Sequence, residues 1–204
     1  MTMPGLDAWA AWPPQTLAAR LAGVDTPWYV AGGWAIDLFL GTTTRSHEDL
    51  EIAVPAARFD AVAARFPDCD FYVAHDGGLQ EPTPQAMRTG HQTWACERSA
   101  MLWRFDVFRE PHDGDTWISR RDPRIHLPYR EIIEHSADGV PYLAPQVALL
   151  FKAKAVRPKD EADFTAALPH LSPARRRWLA GTLAMVHPDH PWQPRLAAGP
   201  PPAG

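Results

Sequence analysis

Cysteine is nearly absent from the chain, which has only Cys69 and Cys96, set in unrelated surroundings. Two isolated thiols argue against a disulfide framework or a cysteine-based zinc site and suit a reducing compartment. Long apolar runs are missing as well, and none approaches the roughly 20 residues that span a bilayer. The start, Met1-Thr2-Met3-Pro4-Gly5, lacks the basic residues and apolar centre of a secretory signal. The expectation is a cytoplasmic protein with no membrane partner. Nor is there excess positive charge: a formal net charge of -4 gives no general attraction to nucleic acid, so small molecules are the favoured partners, although a local basic groove stays open. With 204 residues the chain has material for one good core, with or without a small helical annex, and not for two large domains.

What is present is a pattern of strands followed by helices. The first 25 residues read as a helix with Leu17 and Leu21 on one side, entered through Pro13-Pro14. Trp28 to Ala31 is a short buried strand that stops at Gly32-Gly33, and Trp34 to Leu40 has helical spacing ending before Gly41. Asp49-Leu50-Glu51-Ile52-Ala53-Val54 alternates acids with aliphatic residues, which puts both carboxylates on one face of a strand. An amphipathic helix over Ala56 to Phe66 and strands at Phe71 to Ala74, Thr93 to Glu97 and Leu102 to Phe108 bring the sheet to about five strands. From Pro145 onward helices take over, at Gln146 to Ala155, Asp160 to Leu168 and Pro173 to Val186, the last capped by Ser172. The reading is an α+β fold: a mixed sheet with flanking helices over 1–144, a helical C-terminal subdomain over 145–187 and a disordered Pro/Gly-rich tail over 188–204.

Two carboxylates two apart on one strand, joined by a third from another strand, can hold Mg²⁺, because hard cations take oxygen ligands. Asp49 and Glu51 are the pair. Asp106, inside Trp103-Arg104-Phe105-Asp106-Val107-Phe108, is the third, since hydrophobic neighbours make an uncompensated charge there costly. Alternating acids more often mark a solvated face, and a double glycine is more often only a tight turn. The combination is less ordinary, because a Gly-Gly turn at a helix start admits phosphate oxygens to backbone N–H groups.

Gly32-Gly33-Trp34 followed by Arg45-Ser46-His47-Glu48-Asp49-Leu50-Glu51 resembles the signature of the aminoglycoside and lincosamide nucleotidyltransferases, in the polymerase-β-like superfamily. Residues 28 to 54 fit it well and the rest loosely. The resemblance implies a nucleotidyltransferase-like fold and transfer of AMP from ATP, with Mg²⁺, to a hydroxyl of an antibiotic-like acceptor. It implies that Gly32 and Gly33 cradle the triphosphate, that Asp49, Glu51 and Asp106 are catalytic metal ligands, and that Asp106 takes the acceptor proton. Arg45 either pairs with phosphate or is solvated. His47 orders its loop through a carboxylate, Trp34 packs in the core, and Lys152 reaches the triphosphate from the helical part or lies on a solvated helix face with Lys154, Arg157 and Lys159. Asp160 and Asp163 pair with these bases or cap the next helix, and Arg175-Arg176-Arg177 is placed on the surface. The alternatives are modification of a protein or RNA, and a non-catalytic nucleotide-binding protein. The acceptor, the nucleotide and the oligomeric state are not legible.

Overall fold

The computed structural model describes residues 3–198 of the chain. Residues 3–13 do not join the first helix. They run alongside residues 103–104, Ala10 N donating to Trp103 O and Trp12 N to Arg104 O, both at 3.1 Å. Trp9 supplies the reason, since it packs edge-on against Trp94 and beside Trp103, burial that a solvent-facing helix would not give. Helix α1 (Pro14–Arg20) begins at Pro14, where a missing N–H costs nothing.

Strand β1 (Tyr29–Val30) passes directly into helix α2 (Gly32–Leu40), which ends on Gly41 in the left-handed conformation. The two glycines therefore form the first turn of the helix and do not precede it. Strand β2 (Glu51–Pro55), a 3-10 turn (Ala56–Arg58) and helix α3 (Phe59–Ala63) follow. Next come β3 (Cys69–His75), β4 (Gly78–Gln80), helix α4 (Pro84–Thr89), β5 (Gln92–Glu97) and β6 (Leu102–Glu110). Strands β7 (His112–Asp113), β8 (Thr116–Ile118) and β9 (His126–Pro128) make a small antiparallel sheet. Helix α5 (Tyr129–Ile132), β10 (Ile133–His135) and β11 (Pro141–Leu143) lead to helices α6 (Pro145–Lys152), α7 (Pro158–Ala167), α8 (Pro173–Val186) and α9 (Gln193–Ala197).

The main sheet has eight strands, not about five, in the order β10-β11-β1-β2-β6-β5-β3-β4. The five expected strands are there; β4, β10 and β11 are too short to show alternation in the sequence. Pairing is parallel for β1 with β11 and for β2 with β6, and antiparallel elsewhere in this sheet. One buried cluster runs from Leu17 through Val30, Ile52 and Val107 to Leu149, Phe164, Leu183 and Leu196, so sheet and C-terminal helices share a core.

The tail expected to be disordered is ordered over residues 188–198. Trp192 is 1% exposed and stacks on Phe164 with ring centroids 4.1 Å apart, and Leu196 is buried beside them. A proline-rich composition lowers helix propensity, but one large aromatic with a slot to fill outweighs it. Residues 199–204 lie outside the described residues. Arg176 also departs from its expected surface position: it is buried and donates to the carbonyls of Leu168, Leu171 and Ala198, closing the ends of two helical segments.

A buried ionic knot ties the helices to the loop after α2. Arg45 donates from Nε and Nη2 to the two oxygens of Asp163 at 2.9 and 3.1 Å, and Lys152 Nζ lies 2.8 Å from Asp163 and 3.3 Å from Asp160. Arg157 Nε donates to Asp160 at 2.7 Å. Burial alone would raise the Asp160 carboxyl, but its bonds from Arg157 and the charge of Lys152 outweigh burial and hold it at about 2. Asp163 is lowered in the same way, burial being overcome by Arg45 and Lys152. Because these folded-state values lie below the unfolded ones, the stabilisation is complete above pH ~4 and is lost as pH falls toward about 2.

Two outcomes are expected. Trp192→Ala should cost about 3–5 kcal/mol in urea unfolding, the loss typical of a buried aromatic, whereas a loose tail would give no change. Asp163→Ala should cost about 3–5 kcal/mol by leaving Arg45 and part of Lys152 uncompensated, and, since the Asp163 carboxyl is lowered in the fold, should flatten the acid limb of the stability curve below pH ~4. A loss below about 1 kcal/mol would put Asp163 in the class of exposed ion pairs.

Candidate active site

Gly32 has φ +61°, a region that L side chains rarely adopt, and a Cβ built on it would overlap the Glu51 carboxylate. A Cβ on Gly33 would overlap the Arg45 guanidinium and crowd the His47 ring. The glycine pair thus lets the N-terminus of α2, with its partial positive charge, come up against both an acid and a base.

The acids are set by sheet register. Glu51 on β2 is paired directly with Asp106 on β6, and Ala53 with Phe108. Asp49 lies just before β2, yet Leu50 O still accepts from Asp106 N at 2.8 Å, so the alternation persists and Leu50 and Ile52 are buried while Asp49 and Glu51 are half-exposed. Trp34 Nε1 donates to the Asp49 carbonyl at 3.2 Å and the Trp34 ring stacks on His47. His47 Nε2 is 2.6 Å from Asp37 Oδ2, and Thr44 donates to Asp37 Oδ1 from both its N–H and its hydroxyl. The loop preceding the acids is therefore ordered by a carboxylate, as expected of His47, and Asp37 on α2 is that carboxylate.

The electrostatics are strained by design of the register. Glu51 is pushed up to about 7, first by burial and then by Asp49, with Lys152, Arg157 and Lys159 pulling it back down. Asp106 is raised well above the usual carboxylate range by burial, then by Glu51 and Asp49, while Gln92 opposes the rise by donating to Oδ2. Its other oxygen, Oδ1, is buried with no hydrogen-bond partner among the described residues. A divalent cation shared by these carboxylates would supply what that oxygen lacks and remove the repulsion, so the donor set fits Mg²⁺. Among the described residues no group of three or more His, Cys, Asp or Glu side chains is placed to hold a metal ion.

Two cavities meet over this face. The smaller, about 230 Å³, is lined by Gly33, Arg45, Asp49, Lys152, Arg157 and Lys159. The larger, about 540 Å³, shares Glu51, Lys152 and Arg157 with it and extends over Ala53 and Phe108 toward Glu110 and Arg120. Every lysine of the chain lines one or the other.

Gly32, Gly33, Asp49, Glu51, Asp106, Arg45 and Lys152 therefore gather in one region, though not all of them are free. Arg45 is engaged with Asp163 and donates from Nη1 to Ser46 O, and Lys152 contacts two acids. Helix α6 ends at Lys152 and not at residue 155, so Lys154 lies in the following turn and also lines the larger cavity. His91, Gln92, Glu110, Arg120 and Arg121 had no signal in the sequence, because only the β5–β6 pairing and the small sheet bring them here. A lone acid in the apolar run Trp34 to Leu40 could have singled out Asp37.

Residues 15–82 match the family model described as aminoglycoside-2''-adenylyltransferase. No curated protein sequence matches the chain. In structure the chain is similar to the antibiotic-resistance factor ANT(2'')-Ia in solution, with TM-score 0.56 and 17% identity over 84% of this chain and 89% of that one. It is similar to ANT(2'')-Ia in complex with adenylyl-2''-tobramycin (TM-score 0.53, 15% identity, 84% and 94% covered). It is also similar to the lincomycin-bound lincosamide antibiotic adenylyltransferase LnuA (TM-score 0.52, 15% identity, 74% and 92% covered). Identities this low establish fold and not substrate. The family model reaches residues 15–82 only and the structural likeness shows the fold alone: the chain has the nucleotidyltransferase fold of these proteins.

Proposed function

We propose that the chain transfers a nucleoside monophosphate, AMP from ATP, to a hydroxyl of a small acceptor of the antibiotic type, aminoglycoside or lincosamide. The observation that carries this reading is the register pairing Glu51 with Asp106 beside the Gly32-Gly33 start of α2, which supports one site for phosphate and carboxylate chemistry. Residues 1–144 contribute the acids and the glycine turn, and 145–187 contribute Lys152. Asp49, Glu51 and Asp106 would hold Mg²⁺, which when bound would supply charge neutralisation at the phosphates.

The chain's own groups have separable tasks. The first N–H groups of α2 at Gly32 and Gly33 receive phosphate oxygens, and Arg45, fixed by Asp163, adds positive charge to the smaller cavity. Lys152 steadies the triphosphate with the donor capacity its two carboxylates leave, offsetting charge that builds on departing pyrophosphate. The acceptor oxygen forms its bond to the α-phosphorus while the bond to the pyrophosphate oxygen breaks. Pyrophosphate leaves with that electron pair, and the Asp106 carboxylate takes the hydroxyl proton.

Pyrophosphate release measured for each nucleoside triphosphate against aminoglycosides, lincosamides and a no-acceptor control tests the reading. Asp49→Asn should lower turnover by at least about a hundredfold, more than loss of a mere hydrogen-bonded support of a metal ligand costs, with the fold retained; turnover near wild type would remove Asp49 from the mechanism. Gly32→Ala should weaken ATP binding in calorimetry, because the new Cβ would need positive φ and the space of the Glu51 carboxylate. Lys152→Ala should depress kcat more than acceptor KM, and a variant altered only in melting temperature would return Lys152 to a structural role.

A further inference from the structure

A carboxylate that is to take a proton from a bound hydroxyl must present an oxygen in a fixed direction. The residues directly opposite Asp106 do not fix it. Across β2 stands Glu51, a like charge. Across β5 stands Trp94, whose ring packs on Trp9 and whose ring N–H is buried with no acceptor among the described residues. The donor comes from a diagonal position instead. Gln92 is paired with Phe108, two residues along from Asp106, and diagonal neighbours on one sheet face lie within reach of a long side chain. Gln92 Nε2 donates to Asp106 Oδ2, while Oδ1 is left without a partner among the described residues.

The backbone on both sides of Gln92 is pinned from β6. The Arg109 N–H donates to the His91 carbonyl at 2.7 Å, and the buried Arg109 guanidinium donates to Thr93 Oγ1 at 3.0 Å and to the carbonyls of Met87 and Gly90. Packing, in contrast, does not press the Gln92 side chain onto Asp106. Gln92 is half-buried and borders an open cavity of about 480 Å³, shared with His75, Leu79 and Trp94, into which its amide has room to turn. It bonds to the carboxylate all the same. An amide also suits the task electrostatically. Lysine or arginine would orient Asp106 equally well but would pair with its charge, and a buried ion pair is costly to separate. A neutral donor occupies one oxygen and leaves the carboxylate its negative charge.

We propose, resting on the transferase reading, that Gln92 is the positioning residue of Asp106: its amide holds Oδ2 and so leaves Oδ1 as the oxygen presented to the site. Without that bond, repulsion from Glu51 is free to turn the carboxylate about χ2, a torsion with broad, shallow wells.

Pyrophosphate release and crystal structures of the full chain carrying Gln92→Leu or Gln92→Met test this, methionine matching glutamine in length without an amide. In both variants kcat should fall about ten- to a hundredfold, the range for losing a hydrogen-bonded partner of an active-site ligand, while Tm and the KM for ATP and for acceptor stay as in the unaltered chain. The crystal structures should show the Asp106 carboxylate rotated from its original plane. In an Asp106→Asn background, Gln92→Leu should remove no further turnover, because a residue that acts through another has nothing left to act on. A carboxylate that keeps its plane in both variants overturns the proposal. So does a loss confined to KM or Tm, full turnover in Gln92→Met, or a further loss in the Asp106→Asn background. If the unaltered chain releases no pyrophosphate with any triphosphate and acceptor, the transferase reading falls, and the carboxylate plane in the two variants still decides whether Gln92 sets it.

Discussion

The mutual repulsion of Asp49, Glu51 and Asp106 is the constraint around which the rest of the site is arranged. Glu51 and Asp106 are direct partners across β2 and β6, a placement that costs stability when both are charged. Their raised pKa values reflect burial first, with the charge of Asp49 adding to it at Glu51 and those of Glu51 and Asp49 at Asp106. Nothing about the hydrophobic pattern of either strand requires acids there, and apolar residues at both positions would pair more favourably. The surroundings offset the cost from several directions: the positive end of α2, Gln92 as a donor to Asp106, and Lys152, Arg157 and Lys159 at a distance. A fold that concentrates negative charge and then rings it with donors has the electrostatics of a site awaiting cations and phosphates.

The ionic knot at Asp160 and Asp163 extends this arrangement to the C-terminal helices. Buried ion pairs add little net stability, because desolvation cancels most of the attraction, and their value lies in geometric specificity. Here Asp163 holds Arg45 from the loop after α2 and Lys152 from the end of α6 at once, so two cations from distant parts of the chain are fixed beside the carboxylates. An arginine already saturated by a carboxylate does not collapse onto Asp49 or Glu51 when no nucleotide is present. The knot keeps opposite charges in the cleft close without letting them neutralise one another.

The sequence exposed those parts of the fold whose cause is local. Alternation at Asp49 to Val54, the glycine pair beside an apolar helical stretch and the apolar flanks of Asp106 were readable because each is a pattern over fewer than ten residues or so, although the glycines turned out to open the helix and not to precede it. The parts that were not readable depend on contacts far apart in sequence. Strand β11 is three residues long and exists through its pairing with β1 and β10. Trp192 orders its segment through Phe164, and Arg176 is buried because three carbonyls converge on it. The Pro/Gly-rich composition of 188–204 reads as disorder, a reading that missed the slot filled by Trp192.

The same division separates chemistry from specificity. The match to the aminoglycoside-2''-adenylyltransferase model spans residues 15–82 and so includes Gly32, Arg45, Asp49 and Glu51, the residues proposed to meet phosphate and metal. It ends before His91, Asp106, Glu110, Arg120 and Arg121, which line or border the larger cavity. Phosphate transfer depends on a helix start and a strand register that tolerate little change, whereas an acceptor is selected by whatever charge and shape the later strands and loops present. In this chain those later residues present guanidinium groups against aromatic rings, with Glu110 already paired to Arg120. A match over the first set therefore carries no information about the second.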